Sequence, residues 1–295
     1  MSNIFPNTPY TVPFDGSFSL GDTPTKPPSD APGKKKCKKA LKSLVRELYE
    51  LQRVLYADNK YAVLCIFQAM DAAGKDGTIR AVMTGVNPAG FQVSSFKVPS
   101  SEELDHDFLW RTTKKLPERG RIGVFNRSYY EEVLVVRVHP SFLESQNLPS
   151  TIDFNRIWEE RYQSIASHEQ HLARNGIIIL KFWLNVSKEE QKERFIARLD
   201  EPEKNWKFST GDVKERGYWD QYMDSYEHAL NATSRPWAPW YAIPADSKPY
   251  MRLKVAQILV ETLKGLDIKY PSVDEETKAR FAEMRVILEE KEDQE

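Results

Sequence analysis

Five short apolar runs, near residues 61–68, 91–98, 121–126, 177–186 and 239–244, alternate with stretches in which apolar residues recur every three or four positions. A run that is apolar throughout has both faces to bury, so the alternation predicts βαβ units: a parallel sheet between layers of helices. The helical stretches fall near 38–56, 76–84, 101–115, 153–174, 187–199, 213–233 and 247–265. The first places Leu41, Leu44, Val45, Leu48, Leu51 and Leu55 on one face. Ser187 with Glu190 makes a capping box just after the fourth strand, and Gly176 ends the helix before it.

The first strand runs directly into Gln68-Ala-Met-Asp-Ala-Ala-Gly-Lys-Asp-Gly-Thr78. A loop between a strand and a helix N-terminus is where backbone N–H groups converge on a phosphate, and a lysine there adds a point charge. Lys75 fills the lysine position. Ala72, Ala73, Gly74, Asp76, Gly77 and Thr78 make up the rest of the cradle and the start of the helix. The common phosphate-loop pattern has glycine where this chain has Ala69 and a hydroxyl residue where it has Asp76. A second acid, Asp71, lies inside the loop. Two carboxylates beside a polyanion call for a divalent cation between them, which makes Asp71 the candidate Mg²⁺ ligand. The alternative is an ordinary strand-to-helix turn in which Gly74 permits the bend, Lys75 is solvated and Asp76 caps the helix.

The run Arg121-Ile-Gly-Val-Phe-Asn-Arg-Ser-Tyr-Tyr-Glu131 reads as a buried strand ending in polar residues, where phosphoryl-transfer enzymes aim a second acid at the phosphates. Here that position is the neutral Asn126, and Arg127 after it offers a bidentate fork. The connection Asp200 to Gly211 is long and polar, the composition of a mobile cover, with Arg194, Arg198, Lys204 and Lys207 in or just before it. Trp206 and Phe208 are expected to dock against something. Either region also reads as plain structure, a turn in one case and a solvated surface loop in the other. His168 and His171 lack a third ligand at recognisable spacing, and Trp237 to Tyr241 reads as core.

Residues 1–33 hold seven of the 18 prolines and form an extended or disordered arm; 34–270 form the main domain, with a lid at about 194–216; 271–295 form a charged helix. The 42 Lys and Arg against 43 Asp and Glu leave a net charge of −1, which argues against nucleic acid or a membrane surface as partners. Two cysteines, Cys37 and Cys65, offer no disulfide or zinc framework. With no signal-peptide pattern and no membrane-length apolar run, the expected location is the cytoplasm.

Four segments in order, Ala69 to Thr78, Phe125 to Glu131, Pro202 to Phe208 and Ala238 to Tyr241, resemble the polyphosphate kinase 2 family over about residues 40 to 270. The resemblance implies a three-layer P-loop kinase fold similar to thymidylate kinase, with a helical lid over a parallel sheet. It further implies Mg²⁺-dependent transfer of phosphoryl groups between inorganic polyphosphate and adenine or guanine nucleotides, by a homodimer or homotetramer. On that reading Asp71, Lys75 and Arg127 are catalytic, and Arg198, Lys204 and Lys207 are the lid cations. Many relatives have Asp-Arg-Ser and then Tyr-Asn-Arg where this chain has Asn126-Arg-Ser and Tyr130-Glu-Glu132. That departure resembles the subgroup that accepts both nucleoside mono- and diphosphates, and it brings Glu131 into the nucleotide site. Arg80, Lys97, Arg111 and Arg137 are further candidates for a polyphosphate track. The competing readings are an ATP-dependent nucleotide kinase of the same fold and a non-catalytic nucleotide-binding module.

Overall fold

The apolar runs become strands β1 (Ala62–Gln68), β2 (Phe91–Ser95), β3 (Ile122–Asn126), β4 (Ile177–Asn185) and β5 (Trp240–Pro244) of one sheet. The coordinates come from a computed structural model and describe residues 4–292. Strand order is β2-β3-β1-β4-β5, every neighbouring pair parallel. Every residue of β1 is buried, as a central strand covered on both faces must be. Phe67, Phe182 and Tyr241 sit side by side on β1, β4 and β5, their ring centroids 5.1 and 5.9 Å apart. Stacking of this kind contributes about 0.5–1.5 kcal/mol per pair beyond the buried area.

The helices are α1 (Lys34–Asp58), α2 (Lys75–Met83), α3 (Ser101–Leu104), α4 (Trp110–Thr113), α5 (Val135–Val138), α6 (Ile157–Arg174), α7 (Lys188–Asp200), α8 (Pro202–Asn205), α9 (Thr210–Glu215), α10 (Trp219–Thr233), α11 (Lys248–Lys264) and α12 (Glu275–Glu292). Helices α1, α2 and α11 pack together as one layer, and α5, α6 and α10 as the other. The chain leaves β1 towards β2 and β3, then crosses β1 to build β4 and β5. The connections therefore part at the carboxyl end of β1, the switch point where open α/β sheets bind their ligands.

Several expectations change. The helix expected over 101–115 is two short pieces, because the Asp107 side chain accepts from the Leu109 N–H at 2.9 Å and starts a new turn. Strand β2 stops at Ser95. Residues 129–146, with too short a period to read as helical, form a 3₁₀ turn at Tyr129–Val133, then α5, then a second 3₁₀ segment. Trp240 and Tyr241 are core, as read from sequence. The N-terminal segment lies along β5: Val12 donates to the Trp240 carbonyl at 2.9 Å and Ala242 to that of Tyr10 at 2.8 Å. This covers a sheet edge that would otherwise present unpaired backbone. Helix α12 exposes Phe281, Met284 and Leu288. Among the described residues, no helix is long and apolar enough to cross a membrane.

Candidate active site

The loop after β1 closes around Gly74, whose φ of 106° lies in a region that side chains avoid and whose Cβ, if added, would meet Met251 Cε at 3.3 Å. Ala72 is also left-handed, with φ 61°. These two kinks turn the chain sharply into α2. No side chain caps that helix, so its first N–H groups, from Lys75 to Gly77, open into the loop. At Gly77 the Arg252 guanidinium comes close, so a Cβ there would lie 3.0 Å from Arg252 Nη2 and the arginine would have to shift.

Lys75 Nζ donates to the carbonyl of Ala69 at 2.6 Å, which places the ammonium inside the loop. Burial, reinforced by the nearby charge of Arg127, holds that ammonium below the usual lysine range, while Asp71, Glu131 and Asp76 pull the other way. Asp71, Asp76, Arg127 and Glu131 thus all lie close to Lys75. Arg127 sits at the carboxyl end of β3 with φ 63°, a strained conformation of the kind found at functional sites. Its N–H donates to the Phe67 carbonyl at 3.1 Å, locking the turn to the end of β1. Its guanidinium bridges Asp71 at 2.9 Å and Glu131 at 3.3 Å, and Glu131 foremost, then Asp71, holds it charged. Asn126 donates to Asp76 Oδ1 at 2.7 Å, so the amide orients an acid. A groove of about 430 Å³ begins at Asp76 and Asn126 and runs past Arg80.

Three carboxylates against two cations leave this cluster negative before any phosphate arrives. A polyanion here needs further positive charge. The donors that Asp71 and Glu131 offer are hard carboxylate oxygens, the set that suits Mg²⁺, which takes one or two carboxylates and completes its shell with phosphate and water. The residues present therefore fit the ion.

Two of the cations expected in a lid, Arg198 and Lys204, have carboxylate partners in this structure. Arg198 donates to Asp212 at 2.9 Å and to the Lys207 carbonyl at 3.2 Å, and Lys204 pairs with Glu201. Burial, and then the charge of Asp71, push the Asp212 carboxyl up. Trp206 is not docked. It is 78% exposed, with Lys207 Nζ 4.9 Å from its ring centroid, because the short α8 turns it outward.

Other expectations are corrected by packing. Arg194 is no lid cation: it is buried and donates to the carbonyls of Ala72, Ala73 and Ala245 at 3.1, 2.6 and 2.6 Å, with Nε on Glu190 at 2.7 Å. Gln191, one residue-type clue the sequence did not single out, donates to the Asp71 carbonyl at 3.0 Å. Both act on the loop from α7. Thr78 is buried, so its side chain lies in the core and only its backbone belongs to the cradle. Arg111 is buried on the Lys97 carbonyl, and Arg137 is held by Tyr162 and Asp224, which leaves exposed Arg80 and Lys97 as the available track cations of that set. Tyr226 of α10, also missed, lies close enough to Glu131, Arg127 and Asp71 to feel all three charges.

A family profile for polyphosphate kinase 2 matches residues 32–271. The chain is 55% identical over 270 residues to an ADP-polyphosphate phosphotransferase of Rhodopseudomonas palustris, covering 91% of this chain and 93% of that one. It is 47% identical over 263 residues to an AMP/ADP-polyphosphate phosphotransferase of Meiothermus ruber, covering 89% and 94%. The crystal structure of polyphosphate kinase 2 from Arthrobacter aurescens superposes with a TM-score of 0.84 at 41% identity, covering 92% of this chain and 93% of that one. A phosphate loop at the sheet's switch point, a charged turn facing it and relatives matched over nearly their full length lead to one assignment: the chain belongs to the polyphosphate kinase 2 family, with its P-loop kinase fold.

Proposed function

We propose that this enzyme moves the terminal phosphoryl group of inorganic polyphosphate to ADP and AMP, reversibly, giving ATP and ADP. The observation that carries the reading is the convergence of Lys75, Arg127, Asp71 and Glu131 on the open N-terminus of α2. A terminal phosphate oxygen of the nucleotide attacks the terminal phosphorus of the polymer, the bridging P–O bond breaks, and the shortened polymer leaves with the electron pair. The attacking oxygen is already anionic near neutral pH, so no strong general base is required. Lys75 and the loop N–H groups steady the transferring group, and Arg127 offsets charge as it develops.

Mg²⁺, when bound, would neutralise phosphate charge and orient the reacting oxygens. Asp71 would hold it, and Glu131 would hold its water shell. Arg198 and Lys204 act by exchanging their carboxylate partners for phosphate as the lid closes, and Lys207 by leaving the Trp206 ring for it. The neutral Asn126 and acidic Glu131 support AMP as a second acceptor. The relatives' own names divide on this point, one carrying ADP alone and one both nucleotides. A homodimer or homotetramer belongs to this reading, supported by the apolar residues that α12 exposes, and is measured by light scattering.

The test is ATP formation from ADP, Mg²⁺ and polyphosphate. ATP that depends on polyphosphate supports the proposal. ATP-driven phosphorylation of AMP with no response to polyphosphate makes the protein an ATP-dependent nucleotide kinase, and binding without turnover makes it a nucleotide-binding module.

A further inference from the structure

Lys181 stands at the middle of β4, the single charge within an otherwise apolar strand interior, and is fully buried. Its ammonium has three donors and all are used: Glu169 Oε2 at 2.5 Å, the Tyr130 hydroxyl at 3.0 Å and the Thr233 carbonyl at 2.8 Å. The other oxygen of Glu169, also fully buried, accepts from the hydroxyls of Tyr129 at 2.9 Å and Tyr130 at 2.8 Å. Lys181, Tyr130 and Glu169 close a triangle.

A buried ion pair is poor evidence for stability, because desolvation offsets the attraction and apolar residues of similar volume are often as good. Its purpose lies in what it holds. Tyr129 and Tyr130 open the 3₁₀ turn that begins two residues after Arg127 and contains Glu131. Ser128 Oγ accepts from the Tyr130 N–H at 3.1 Å and from Gln68 at 3.3 Å, so the turn is also fastened to the end of β1. Tyr130 meets Trp240 edge to face at 4.7 Å, and the Trp240 indole donates to Thr233 Oγ1 at 2.9 Å. One polar network thus joins α6, β4, β5 and α10 to the five residues that carry the strained arginine and its carboxylate partner.

We propose that Lys181 and Glu169 are positioning residues for the transfer reaction: through Tyr129 and Tyr130 they fix the turn that aims Arg127 and Glu131 at the phosphates. The inference rests on the role given to Arg127 above. A displacement of about 1 Å at a reacting group can cost a hundredfold in rate, so rigid seating of this turn has a large kinetic effect.

The experiment is a mutant cycle that combines Lys181→Met/Glu169→Leu, which removes both charges together, with Arg127→Ala. Turnover and KM are measured for ADP with polyphosphate, and folding is followed by thermal unfolding. In the wild-type background the apolar pair is expected to lower kcat roughly tenfold or more with little change in KM for ADP. In the Arg127→Ala background it is expected to lower kcat by a clearly smaller factor, since only Glu131 is left to position. Equal fold losses in the two backgrounds, or unchanged kcat in the first, overturn the proposal. Tyr130→Phe, which deletes one hydroxyl, runs through the same cycle and decides the matter if the apolar pair fails to fold. Failure of the underlying reading shows separately, as full activity of Arg127→Ala alone.

Discussion

Arg194→Met separates a loop support from a lid cation. The arginine lies 7% exposed, and its short contacts go to the carbonyls of Ala73 and Ala245 and to Glu190, with a longer one to Ala72. Methionine fills much of the space but donates nothing. Hydrogen bonds from a charged donor contribute about 1.5–3 kcal/mol each, and acceptors left buried without a partner keep most of that cost. Partial solvation of Glu190 and relaxation of the loop reduce the sum, leaving an expected loss of roughly 3–5 kcal/mol. For a domain near this size that lowers Tm by roughly 6–20 °C, at about 2–4 °C per kcal/mol. Urea unfolding followed by tryptophan fluorescence measures the first quantity, and polyphosphate-dependent ATP formation well below Tm measures the second effect, a fall in kcat as Ala72 and Ala73 lose their seat. A variant as stable as wild type but slow only in turnover would refute the support role and return Arg194 to the lid.

Lys75→Ala should lower kcat by roughly a hundredfold or more with the unfolding midpoint near wild type, since the side chain reaches the loop and not the core; near-normal turnover removes it from the mechanism. Asp71→Asn should raise the Mg²⁺ concentration needed for half-maximal rate, and an unshifted Mg²⁺ titration removes its metal role. Glu131→Asn should depress AMP phosphorylation more than ADP phosphorylation at saturating Mg²⁺ and polyphosphate, and equal fractional losses would discard it as the acceptor determinant. Burial pushes the Cys65 thiol up to about 12. Cys37 is buried as well, so the native protein should give no fast thiol reaction at pH 8 and two equivalents after denaturation; rapid labelling of the native state would contradict the packing around β1.

The sheet was legible because each strand is an uninterrupted apolar run bounded by turn residues, and the phosphate loop because Gly74-Lys75 follows such a run. What the sequence hid are contacts across the fold. Arg194 falls among lid cations in the chain, and only the packing of α7 against the loop turns it inward. The arginine's partners are backbone carbonyls, which leave no trace in side-chain patterns. Lys181 did leave a signal, since one lysine inside Ile177-Ile-Ile-Leu-Lys-Phe-Trp-Leu-Asn185 must be buried and therefore paired. Its partner, Glu169 on α6, looks like any helix-surface acid until the two elements are packed. Trp206 misled for the opposite reason: an aromatic in a loop has apolar area to bury, but here the ring stays mostly exposed with the Lys207 ammonium near it.

The central claim is direct transfer from polymer to nucleotide. ³¹P NMR of a mixture of wild-type enzyme, Mg²⁺, ADP and polyphosphate of defined length follows the polymer, the nucleotide and free phosphate together. The account expects one ATP γ-phosphate gained for each phosphoryl unit lost from the polymer, with no matching rise in inorganic phosphate. Polymer shortening that releases inorganic phosphate in place of ATP, or ATP that forms equally well without polymer, would contradict it.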